Sequence, residues 1–126
     1  MEHRENIERK RLKFSSLIKR MIDEILRKEV SDPRIGFITL TDVKITPDMK
    51  KATIFIDTQG SAQEQQNSII GLKEAQGYVK HILSKKLHIR FVPEIEFAKY
   101  EGKGWRIEQI LKEIEKEEKK HERENT

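Results

Sequence analysis

Residues 69–90 read "IIGLKEAQGYVKHILSKKLHIR", a single helical run interrupted by Gly77. A glycine inside a helix costs up to about 1 kcal/mol relative to alanine, so a compensating role is expected. On a wheel of about 100° per residue with Leu72 at zero, Ala75, Val79, Ile82, Leu83 and Leu87 cluster within about 80° and form a core stripe. Gly77 falls near 140°, close to Lys73, Lys80 and Ser84, and away from that stripe. Packing against the core therefore does not account for Gly77. It bares backbone on the side where the lysines project.

Gln76 breaks the pattern, because a continuous helix aims it into the apolar stripe. A kink over Ala75, Gln76 and Gly77 changes the phase and is expected to release it. The stretch then reads as two short helices meeting at a bend, with the second helix's first amides exposed among lysines. Helix N-termini carry free donors and the positive end of the dipole, which suits an anion. A bend needed only for helix packing accounts for the same residues equally well.

Upstream, Ile18, Met21, Ile22, Ile25 and Leu26 recur at helical spacing, predicting a first helix from near residue 5 to near Val30. "SDPRIG" ends it, since Pro33 lacks an amide hydrogen and pushes Asp32 out of helical geometry. "FITLTDVKI" and "KATIFID" flank "TPDMKK" and predict an antiparallel hairpin. Ile38 and Leu40 fall on one face of the first strand, Val43 and Ile45 on the other. A bulge near Thr41–Asp42 would return all four to the core. "TQGSAQEQQNS" reads as a polar loop running into a helix start, and "PEIEFAKY" as a third strand with Ile95 and Phe97 inward. Trp105, Ile110, Leu111 and Ile114 could dock the beginning of a terminal helix. Residues 115–126 contain nothing to bury and are expected to be frayed or disordered.

The predicted order α-β-β-α-α-β is an α+β layer, with helices on one face of a three-stranded sheet. With its helix–bend–helix before the last strand, it resembles a type II KH domain. KH domains clamp single strands with a GXXG loop at that bend. The glycines here, at 36, 60, 71, 77, 102 and 104, include no pair three apart. The bend reads A-x-G instead, as "AQG". By that feature, by "DPRIGFITLTDVKITPDMKKATIFID" and by "KKLHIRFVPEIEF", the chain resembles the bacterial ribosome-binding factor A family over roughly residues 8–112. The resemblance implies a factor that binds the small ribosomal subunit and its RNA during late maturation, and that supports growth in the cold. A KH-like RNA-binding domain over residues 1–114, followed by a charged tail, is expected.

Net charge is +4, with 35% hydrophobic and 38% charged residues. Residues 101–126 hold eight acids and seven bases, so the positive excess lies upstream. From Ala75 to Pro93 there are four bases (Lys80, Lys85, Lys86, Arg90) and no acid. Such a window raises the expectation of a polyanionic partner, although most charge runs are only solvated helix faces. Residues 1–20, including Arg11 and Lys13, carry a net +4 and could extend the same surface. The candidate RNA contacts are thus Lys73, Ala75, Gln76, Gly77, Lys80, Lys85, Lys86 and Arg90, with Arg11 and Lys13 from the first helix.

Nothing in the sequence argues for catalysis. The four histidines lack metal-ligand spacing, and there is no P-loop, dinucleotide fingerprint or HExxH. The sheet is a poor RNA platform, because its outer face is predicted to show Thr53, an exposed Phe55 and Asp57, with Glu94 and Glu96 beside them. Cysteine is absent, which excludes disulfides and thiolate sites. The expectation is a cytoplasmic monomer with no cofactor, membrane contact or small-molecule substrate. The competing function is a protein-interaction adaptor that uses the basic helices and the charged tail.

Overall fold

A computed structural model describes residues 2–89 and 91–102. Its order is α1 (Glu2–Lys28), β1 (Ile38–Ile45), β2 (Lys51–Thr58), α2 (Ala62–Glu74), α3 (Gln76–Leu87) and β3 (Glu94–Lys99). The sheet runs β1-β2-β3, with β1 antiparallel and β3 parallel to β2. Arg90, the domain limit at residue 114 and the tail over 115–126 lie outside the described residues.

Ile18, Ile22 and Ile25 recur at helical spacing and are fully buried, so α1 presents one stripe to the sheet. They pack in one core with Ala52, Ile54 and Ile56 of β2, Leu72, Val79 and Leu83 of the later helices, and Phe97 of β3. The phase change in β1 is resolved by a bulge at Thr41. Leu40 pairs with Ile56, and Asp42, not Thr41, pairs with Phe55. The extra residue turns Ile38, Leu40, Val43 and Ile45 all toward the core.

The segment between α1 and β1 is tied to α2. Asp32 accepts from the Arg34 amide at 2.9 Å, and the Arg34 guanidinium bridges Asp32 and Glu74, each at 2.7 Å. Gly36 N–H donates to Ser68 Oγ at 3.1 Å. Hydrogen bonds to Arg34 hold the Asp32 and Glu74 carboxyls below their ordinary values. A depressed carboxyl favours the fold when ionised. Its contribution is full above the unfolded value of about 4 and disappears as pH falls through the folded value. The melting temperature of Asp32→Asn should therefore drop less than that of the parent between about pH 6 and pH 3. Parallel losses in both proteins would rule out this bridge as a source of acid sensitivity.

α2 starts at Ala62, inside the polar stretch "TQGSAQEQQNS" where a helix start is expected. Ser61 Oγ accepts from the Glu64 amide, and the Glu64 carboxylate accepts from the Ser61 amide, both at 3.2 Å. This reciprocal cap satisfies two donors that a helix start would otherwise leave open. Gly60, at φ 103°, makes the turn before it.

Candidate nucleic-acid interface

One residue, Ala75, separates α2 from α3. Its amide is shared between the carbonyls of Gly71 and Leu72, both at 3.1 Å, and its own carbonyl receives Val79 N–H at 2.9 Å. Gly77 lies in the first turn of α3. A methyl group added there would meet nothing within 4 Å. The wheel's outward placement of Gly77 agrees with this open space. Tyr78 follows it and is 50% exposed, a ring that the apolar-stripe reading passed over because it falls off the stripe.

Gln76 is not released. It is half-buried, and its side-chain carbonyl accepts Phe97 N–H at 2.9 Å. Phe97 pairs with Ile54, and its N–H points to the outer edge of β3, away from β2. A polar side chain near the core stripe is thus satisfied by an edge-strand donor that would otherwise lack a partner. The sequence pattern could not reveal this, because the donor lies 21 residues away.

The lysines do not form one cluster. Lys73 is exposed, and shares an open cleft of about 460 Å³ with Gln76, Lys51, Glu94 and Glu96. The Lys80 ammonium is ion-paired to Glu94. Lys85 and Lys86 are exposed in the last turn of α3, and the charge of Lys86 helps Lys28 lower the Glu24 carboxyl on α1. The acid-free window is therefore bordered in space by acids from α1 and β3. Arg11 is bonded to Glu8 at 2.8 Å, and Lys13 is exposed. The neighbouring Phe14 shares a groove of about 750 Å³ with Lys80 and with Phe91, which is 79% exposed.

The sheet's outer face also departs from expectation. Phe55 is only 7% exposed, so it does not present the open ring inferred from strand alternation. Alternation assigns a face but does not report what lies over it. Glu94, expected on that face, reaches round the sheet edge to α3 instead. Among the described residues no group of His, Asp or Glu side chains could hold a metal ion. No described helix is long and apolar enough to cross a membrane.

The family model for ribosome-binding factor A matches residues 10–111. The chain belongs to this family. It is 45% identical over 105 residues to the ribosome-binding factor A of Citrifermentans bemidjiense, covering 81% of this chain and 87% of that one. It is 35% identical over 109 residues to that of Halothermothrix orenii, with coverages of 84% and 88%. The solution structure of a Thermotoga maritima protein assigned to the same factor superposes with a TM-score of 0.65 at 26% identity, over 73% of this chain and 88% of that one. A Thermus thermophilus ribosome-binding factor A, fitted as a homology model into a cryo-EM map of its 30S complex, shares the fold. Its TM-score is 0.58 at 19% identity, over 68% of this chain and 90% of that one.

Proposed function

We propose that this chain is a non-enzymatic, cytoplasmic RNA-binding assembly factor, monomeric, acting on the small ribosomal subunit late in its maturation and supporting growth in the cold. In this reading the fold is type II KH-like, and the A-x-G of Ala75, Gln76 and Gly77 stands where other KH domains carry GXXG. Family membership is the observation that carries the reading, together with the 30S complex of the Thermus thermophilus relative. The uncovered backbone at Gly77 supports an RNA approach at that point. Lys73 beside the junction and Lys85 at the far end of α3 supply phosphate contacts, and Tyr78 supplies a ring on which a base can stack. Such contacts position the protein without reading sequence. They favour one subunit conformation only by binding it better than the others.

Binding to purified immature small subunits, titrated against salt, tests this. Lys73→Ala with Lys85→Ala should weaken binding and flatten the salt slope by roughly one unit per lost phosphate contact. Both side chains are exposed, so the fold should be kept. Glu94→Gln should act in the opposite sense, because it releases Lys80 from its ion pair for use on phosphate. Gly77→Ala should reduce binding while the protein stays folded. Unchanged binding by all three variants would move the contact surface away from the α2–α3 junction, to the basic start of α1 with Arg11 and Lys13.

A further inference from the structure

The opposite edge of the sheet carries a different surface. β1 is an edge strand, and Gln59 N–H donates to Phe37 C=O at 3.2 Å. That bond sets the parity of the ladder. Phe37 and Thr39 turn their backbone groups toward β2, while Ile38 and Leu40 turn theirs to the open side. Among the described residues no hydrogen bond reaches the outward groups of Ile38 or Leu40. Past the bulge the edge is closed by the molecule itself. The Asp42 carboxylate accepts Val43 N–H at 2.8 Å, and Lys19 Nζ donates to Thr41 C=O at 3.2 Å.

A groove of about 610 Å³ runs between this open stretch and α1, with Lys19, Arg20, Asp23 and Arg27 along its helical wall. Arg27 already pairs with Asp23, so the wall retains a cationic excess. A smaller recess of about 210 Å³ adjoins it, lined by Leu26, Val30, Ile35, Ile38 and Leu40, with Asp23 paired to Arg27 and Asp32 held by Arg34 at its margin. An occupant must be extended, must offer backbone donors and acceptors at strand spacing, and must bring an apolar side chain for the recess. Acidic side chains would meet Lys19 and Arg20. A nucleic-acid strand would satisfy the cations, but its donors lie on bases and not along the backbone at strand spacing.

We infer that the α1–β1 groove is a strand-addition site for an extended acidic segment of a partner protein. It lies across the sheet from the α2–α3 junction and does not depend on the RNA reading. The probe is a short capped peptide of alternating glutamate and valine, titrated into the full chain and followed through the backbone amide resonances. The Ile38 and Leu40 amides should shift and exchange more slowly with solvent. The same peptide N-methylated at alternate positions, and its lysine–valine counterpart, should lose most of that response, as should Arg20→Glu with the original peptide. Lys73→Ala with Lys85→Ala should leave it intact, which separates this site from the proposed RNA surface. Unmoved Ile38 and Leu40 amides, or an equal response to the N-methylated peptide, would overturn strand addition. An equal response to the lysine–valine peptide would overturn the acidic partner. Oligouridylate shifting the same amides as strongly would reassign the groove to nucleic acid.

Discussion

Gly71→Ala should lower the stability of this protein, and the same change six positions on, at Gly77, should raise it. Gly71 is buried on α2, where the chain entering β1 crosses it. A methyl group there would sit 2.8 Å from Ile35 Cγ1 and 3.3 Å from Asp32 Oδ2. Ile35 packs against the core and Asp32 is held by Arg34, so neither neighbour retreats freely. Overpacking of this kind costs about 1–3 kcal/mol, offset by about 1 kcal/mol of helix propensity. The net loss for alanine is on the order of 1 kcal/mol, or about 4 °C in melting temperature for a domain of this size. Gly71→Leu should lose about 3 kcal/mol. At Gly77 only the propensity term acts, and alanine should gain up to about 1 kcal/mol. In an Ile35→Ala background the penalty at Gly71 should largely vanish, since the clashing atom is gone. A Gly71→Ala protein as stable as its parent, with Ile35 intact, would show that the crossing can open at little cost.

The two glycines also mark what was legible in the sequence. Local signals carried far. The stripe of Ile18, Ile22 and Ile25, the Pro33 stop and the phase change around Thr41 each depend on a few adjacent residues, and each has its counterpart in the fold. The start of α2 was also local, because Ser61 and Glu64 stand three apart at the end of a polar loop. That spacing was present in "SAQE" and would have placed the helix start at residue 62. What was not legible depends on partners distant in sequence. Gly71 carries no mark to distinguish it from Gly77, until Ile35 and Asp32 are seen over it. The acid-free window from Ala75 to Pro93 describes one segment. The field at Lys80 is set by Glu94, which begins the next strand. For the candidate site, the sequence pointed to an uncovered Gly77 but could neither divide its lysines nor anticipate Tyr78.

Gln76 separates scaffold from interface, because it stands in both. Gln76→Leu removes the acceptor of Phe97 N–H at the half-buried edge of β3. A buried donor left without a partner costs about 1–3 kcal/mol, so a clear fall in melting temperature is expected. Any accompanying loss of subunit binding would then be ambiguous, since α3 would be less firmly held to β3. Gln76→Glu resolves this. A carboxylate oxygen still accepts from Phe97 N–H, so the edge remains satisfied. The new charge lies in the cleft with Lys73, Glu94 and Glu96, where it repels phosphate. The glutamate variant should therefore melt closer to the parent than the leucine variant does, while losing more subunit binding at low salt. That excess should shrink as salt rises, because it is electrostatic. If the leucine variant melts with the parent, the Gln76–Phe97 bond does not hold α3 to the sheet. If the glutamate variant binds subunits as tightly as the parent at low salt, phosphate does not approach the α2–α3 junction.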